Sequence, residues 1–209
     1  MALEKTMIDK ISLTMASLGE TNSCRKKNNI SESEREATGV NLLKKALKQH
    51  SKGDAECAEK YYREAISLGY FNETLYSNLG VICKCSGRLE EALYLYNKCI
   101  EKNPKNYNVY LNLGNLHREL RNFDQALAST LKSLELKPDN PTAHQYLGAI
   151  YKDLGNLDQA LASTLKSLEL KPDNPAAHVN LSAIYIEFGN LDQALASTLK
   201  SLELKPNNT

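Results

Sequence analysis

Two histidines, His144 and His178, stand 34 residues apart in matching contexts, PTAHQYL and PAAHVNL. A ladder of histidines in one register could bind metal. Neither has a cysteine or carboxylate partner at ligand spacing, and Tyr76 and Tyr110 fill the same register upstream. An aromatic-sized core position accounts for all four, so neither a metal nor a cofactor is expected. The register just before the Leu-Gly pairs carries different chemistry: Asn78, Asn112, Tyr146 and Asn180. An asparagine amide holds a donor and an acceptor together, and can grip both groups of a passing peptide unit. Tyr146 would contact such a peptide by stacking, and Asn115, one helical turn beyond Asn112, joins the candidate set. A third row holds Lys84, Arg118 and Lys152, then Ile186. Three cations favour an acidic or C-terminal carboxylate ligand.

Other chemistry is missing. There is no Gly-rich phosphate loop, no H-E-x-x-H and no G-x-S-x-G, so no catalytic residues are expected. The five cysteines include no C-x-x-C, and Cys83-Lys84-Cys85 is spaced poorly for zinc. They read as reduced, mostly packing cysteines of a cytoplasmic protein. With 26 basic against 25 acidic residues the net charge is +1, which gives no electrostatic case for nucleic acid or an anionic membrane. The apolar runs are short, and the N-terminus carries Glu4, Lys5, Asp9 and Lys10 where a signal peptide would be apolar.

The spacing of 34 is the key to the organisation. The stretch DQALASTLKSLELKPDN starts at Asp124 and again at Asp158, and most of it starts a third time at Asp192. Leu79-Gly80, Leu113-Gly114 and Leu147-Gly148 keep the same step, as do Ala58, Ala92, Ala126, Ala160 and Ala194. A period of about 34 marks a repeat array in which each copy buries its apolar face against its neighbours. The copies are set at 39–72, 73–106, 107–140, 141–174 and 175–208, within an array spanning 33–209 after a flexible polar leader, 1–32. That leader contains a candidate short helix with Ile8, Ile11, Met15 and Leu18 on one side.

One copy reads as two helices. In PTAHQYLGAIYKDLG, Pro141 suits a first turn, and His144, Leu147, Gly148, Tyr151 and Leu154 recur at helical steps. Gly155-Asn156 stops that helix. The second begins near Asp158, at the favourable end of the helix dipole, and ends before Pro172. Gly148 and Ala160, both small, are expected to set the distance between the two.

Tyr76, Leu79, Gly80, Ala92, Tyr96 and Pro104, with Tyr110, Leu113, Gly114, Ala126 and Pro138, resemble the tetratricopeptide repeat (TPR) pattern over roughly 39–208. The resemblance implies an all-α, right-handed α-solenoid of five helical hairpins with a concave groove. It is similar to bacterial, cyanobacterial-like members, and the asparagine row is similar to that of the TPR region of O-linked N-acetylglucosamine transferases. The departures are Thr130, Thr164 and Thr198, where the family usually has an aromatic, and Arg121 in place of an inter-helix glycine. These imply looser packing. The cations of chaperone-tail clamps have no counterpart at Leu43, Leu47, Asn78, Asn108 and Asn112, so no such clamp is expected.

The expected function is a protein-interaction scaffold that binds a peptide or partner protein along the groove. Its second helices are copied nearly unchanged, while the first helices vary. The rival reading is the non-catalytic arm of a larger enzyme, a glycosyltransferase or sulfotransferase; a plain spacer is a third. The last copy carries no polar capping helix, so the expectation is that the chain continues into a further segment or self-associates through that end.

Overall fold

The computed structural model describes residues 31–205, so the expected leader helix lies outside the described residues. All ten helices among them belong to hairpins. These are α1 (Glu32–Ser51) with α2 (Ala55–Ser67), α3 (Glu73–Cys85) with α4 (Leu89–Lys102), α5 (Tyr107–Glu119) with α6 (Phe123–Leu136), α7 (Pro141–Asp153) with α8 (Leu157–Leu170), and α9 (Pro175–Glu187) with α10 (Leu191–Leu204). The first two hairpins belong to one contact unit, which ends at Pro104. The other three belong to a second, which begins at Lys105.

Each first helix starts where a side chain can satisfy the unpaired amides of its first turn. Asn72, Asn106, Asn140 and Asn174, again 34 apart, accept hydrogen bonds from amides two or three residues on. In α1 the cap is Ser31, which forms a capping box with Glu34. This cap starts α1 at Glu32, seven residues ahead of the first repeat boundary read from the period.

The turns inside the hairpins repeat as strictly. Gly53, Gly87, Gly155 and Gly189 adopt φ between 75° and 81°, and the fifth member of that register is Arg121, at φ 60°. A side chain in the left-handed region costs about 1–2 kcal/mol. Arg121→Gly is therefore expected to stabilise the protein by about 1 kcal/mol, read as a higher urea midpoint.

The seam between paired helices is tighter than the threonines implied. Tyr62 and Tyr96 are fully buried in the first unit, and a Cβ on Gly80 would sit 2.5 Å from the Tyr96 ring. In the second unit Thr130 and Thr164 take the aromatic's place and are also fully buried. A Cβ on Gly114 or Gly148 would collide with their hydroxyls, and on Gly148 it would also lie 3.1 Å from the Ala160 carbonyl. Packing is thus not looser in these copies. The smaller side chain comes with direct contact between the glycine and the threonine, and Gly148 meets Thr164 as well as the Ala160 backbone. The last hairpin replaces the glycine by Ser182, whose hydroxyl pairs with Thr198 at 2.7 Å.

A further periodic bond ties each hairpin of the second unit. Ser133, Ser167 and Ser201 donate to the carbonyls of Tyr107, Pro141 and Pro175, at 2.9, 2.8 and 3.1 Å. In the first unit Cys99 makes the weaker equivalent with Glu73, at 3.6 Å.

Candidate functional site

The predicted rows all lie on first helices, but hydrogen bonding divides them. Asn78 on α3 spends one amide N–H on the Tyr62 hydroxyl, at 3.1 Å. Asn180 on α9 donates to the Gln145 carbonyl of α7, at 3.0 Å. Both are therefore inter-helix ties first, and neither keeps its full donor set for a ligand. Asn112 and Tyr146, in the same register of α5 and α7, are half-buried, and neither forms such a tie among the described residues. Asn115 donates a long 3.5 Å hydrogen bond to Glu119 on its own helix. The row members that form no bond to another helix among the described residues are thus Asn112, Asn115 and Tyr146, all in the second unit.

The cation row is also partly neutralised. Arg118 Nε donates to Asp153 Oδ2 at 2.6 Å, and Lys152 Nζ lies 3.3 Å from Asp153 Oδ1. Asp153 therefore sits between two of the three cations. The carboxylate selectivity expected of the row is reduced there to one net positive charge. Sequence reading missed Asp153 because its contribution depends on which face of α7 meets α5. Lys84, the third cation, is in the last turn of α3 and half-buried.

The histidine register is half-buried, not core. His144 and His178 bring Nε2 to within 2.9 and 3.0 Å of the Pro138 and Pro172 carbonyls. A carbonyl can only accept, so Nε2 carries the proton in each. The two rings latch each first helix to the loop before it. Among the described residues no cluster of three or more His, Cys, Asp or Glu could hold a metal. The cysteines also divide: Cys83 and Cys99 are buried, while Cys57 and Cys85 are exposed. Burial pushes the Cys83 and Cys99 thiols up to about 12, which keeps them protonated and inert.

His117 on α5 shares its register with Cys83, Tyr151 and Tyr185. Its Nδ1 is buried without a partner, and burial lowers its pKa below the ordinary 6.5. The folded protein then favours the neutral ring. Its contribution is present above pH 6.5 and is lost as pH falls through the lowered folded value. The urea midpoint should drop between about pH 7.5 and pH 5, and should drop less in His117→Tyr, the residue two other copies use.

One cluster in the first unit was not anticipated. Glu59 of α2 accepts hydrogen bonds from both terminal guanidinium nitrogens of Arg88, at 2.5 and 2.6 Å, and from Arg63 Nε at 2.8 Å. Arg63 also reaches Glu91 of α4 at 2.7 Å. Hydrogen bonds from Arg88 and then Arg63 hold the Glu59 carboxyl below its usual range. Every charge here has an opposite partner, so the cluster joins hairpins and offers no ligand site. Its signal is the acidic and basic pattern of the second helices, but the pairing requires the fold.

These features define a class of protein, one built from stacked helical hairpins of 34 residues whose first helices carry the variable polar side chains. Family models described as tetratricopeptide repeat match residues 74–106 and 141–174, and also 95–128 and 164–196. Together they span 74–128 and 141–196, more than half of the chain, which belongs to the tetratricopeptide repeat family. Among solved structures, a thermophilic TPR protein of Thermus thermophilus is 23% identical, with TM-score 0.69 over 81% of this chain and 93% of its own. MamA of Desulfovibrio magneticus RS-1 is 16% identical, with TM-score 0.69 over 82% and 97%. MamA MSR-1 is 23% identical, with TM-score 0.63 over 82% and 98%. At these identities they share the fold. A comparison with curated proteins finds no match to this sequence.

Proposed function

We propose that this chain is a non-enzymatic interaction module that binds a peptide or partner protein across its first helices. The observation that carries this reading is the division of labour between the helices of each copy. In the second unit, α6, α8 and α10 share DQALASTLKSLEL, while α5, α7 and α9 differ at corresponding surface positions. Asn112, Tyr146 and Asn180 occupy one such register, and Arg118, Lys152 and Ile186 another. A scaffold needs its packing helices constant and its contact helices varied. The contacting groups would be Asn112, Asn115 and Tyr146 at the centre. Asn180, Arg118 and Lys152 would border them, with Asn78 and Lys84 at the matching places of the first unit. Affinity would be the sum of modest polar and stacking contacts on a surface formed beforehand. No helix among the described residues is long and apolar enough to cross a membrane, which fits a partner met in water.

The test is photo-crosslinking in native lysate. A crosslinking side chain at Tyr146 on α7 should capture a discrete partner, and one at Glu169, exposed at the end of α8, should not. Capture from Glu169 alone would move the contact surface to the second helices and overturn the reading.

A further inference from the structure

A chain of hydrogen bonds runs through the first unit from α1 to α3. Asn78 Nδ2 on α3 lies 3.1 Å from the Tyr62 hydroxyl of α2, and that hydroxyl lies 3.3 Å from His50 Nδ1, near the end of α1. The His50 and Tyr62 rings meet edge to face, with centroids 6.2 Å apart. Tyr62 is fully buried, while His50 and Asn78, at the two ends of the chain, are half-buried. The chain therefore ties the first hairpin to the second.

Each hydrogen in it can be assigned. An amide nitrogen only donates, so the Asn78 N–H fills a lone pair of the phenol oxygen. The phenol has a single hydrogen of its own, and His50 Nδ1 is the acceptor beside it. Neutral His50 therefore carries its proton on Nε2. Burial raises the Tyr62 pKa, so the phenol keeps its hydrogen across the range in which imidazoles titrate, roughly pH 5 to 8.

A second proton on His50 goes to Nδ1 and reverses this arrangement. Nδ1 becomes a donor. The Tyr62 oxygen then receives hydrogens from both sides while its own has no acceptor, which is unfavourable at a buried site. The Asn78 amide can restore the pairing by turning half round, so that Oδ1 accepts from Tyr62 and Nδ2 moves to the other side. The remaining ionisable neighbours are engaged or are poor acceptors. Lys48 and Lys52 along the same stretch of chain, and Lys84 in the last turn of α3, only donate. Asp54 accepts from the Cys57 amide in capping α2, and Arg63, next to Tyr62, pairs with Glu59 and Glu91. Cys85, also in the last turn of α3, is exposed, and a thiol accepts weakly. The sequence confines the arrangement to the first copy. One period on, the same registers hold Lys84, Tyr96 and Asn112, and an ammonium cannot accept. In the later copies threonine replaces the tyrosine.

We infer that His50, Tyr62 and Asn78 form a proton-operated switch, in which protonation of His50 turns the Asn78 amide and changes the group it presents from a carbonyl oxygen to an amide N–H pair. Asn78 belongs to the proposed contact row, so the consequence for a partner rests on that reading: a bond donated to Asn78 Oδ1 at neutral pH is lost in acid. The turn itself does not rest on it and is measured on the free protein.

The experiment is NMR spectroscopy of the isotope-labelled full chain at about pH 8 and about pH 5. At the higher pH the His50 ring should be the Nε2–H tautomer, and the Asn78 amide protons should show a nuclear Overhauser contact with the Tyr62 ring. At the lower pH both His50 nitrogens should be protonated and that contact should be lost. In Tyr62→Phe, which keeps the ring without the hydroxyl, His50 should still titrate and the Asn78 amide should no longer respond. An Nδ1–H tautomer at the higher pH would overturn the inference, and so would a His50 ring unchanged at the lower one. An Asn78–Tyr62 contact that is the same at both, or an Asn78 response that persists in Tyr62→Phe, would do the same. An amide that turns without any effect on partner capture supports the switch and removes Asn78 from the contact row.

Discussion

Tyr96→Ala is expected to lower the stability of the first unit by about 3–5 kcal/mol, the range for deleting a large buried aromatic. The ring is fully buried, and it is what Gly80 makes room for: the nearest ring carbon lies 2.5 Å from where a Cβ would be. Thr164→Ala, at the same register in the second unit, should cost far less, about 1 kcal/mol or under. The threonine removes less volume, and its Oγ1 is buried without a partner, so its loss also removes an unsatisfied hydroxyl. Urea unfolding followed by helical circular dichroism measures both. Equal costs would mean that the seam is not set by the glycine–aromatic pair.

The combined variant Asn112→Ala, Asn115→Ala, Tyr146→Ala should weaken partner binding about 100-fold, at roughly 1 kcal/mol for each contact. The melting temperature should stay near that of the parent, because among the described residues Asn112 and Tyr146 form no inter-helix hydrogen bond and Asn115 bonds to Glu119 of its own helix, at 3.5 Å. Asn78→Ala and Asn180→Ala should behave in the opposite way. Each breaks a tie between helices, to Tyr62 or to the Gln145 carbonyl, and should cost about 1 kcal/mol of stability. Separating these two patterns distinguishes contact residues from ties within a single register. A triple variant that melts early and binds normally would reverse the assignment.

Much of the fold was legible because the repeat states it five times. The period implied a pair of helices in each copy, and the helices come in such pairs. Pro141 and Pro175 marked helix starts, and Gly155 and Gly189 marked turns that favour a left-handed residue. The first hairpin was the least legible. Its α1 begins seven residues ahead of the repeat boundary because Ser31 and Glu34 build a cap of their own, and that signal is local, not periodic. The seam was read partly wrongly: Gly148 suggested a small partner in Ala160, whereas the side chain it admits is Thr164, one turn further on.

The candidate site was legible as registers but not as chemistry. Spacing shows that Asn78, Asn112 and Asn180 are equivalent, yet it cannot show that Tyr62 and the Gln145 carbonyl take up two of the three amides. Those partners come from other helices. Asp153 is the same kind of case: it is an ordinary acidic residue in sequence, and becomes the neutralising partner of Arg118 only when α5 and α7 lie side by side. The serine ties of the second unit were open to view, since Ser133, Ser167 and Ser201 keep the 34-residue step. They passed unnoticed because serine in a copied segment looks like copying alone.

Hydrogen exchange of the chain with and without its captured partner tests the central claim most directly. The account predicts added protection over 107–119, 141–153 and 175–187, where the first helices of the second unit lie, and little change over 123–136, 157–170 and 191–204. Protection confined to the second helices, with the first helices unchanged, would contradict it.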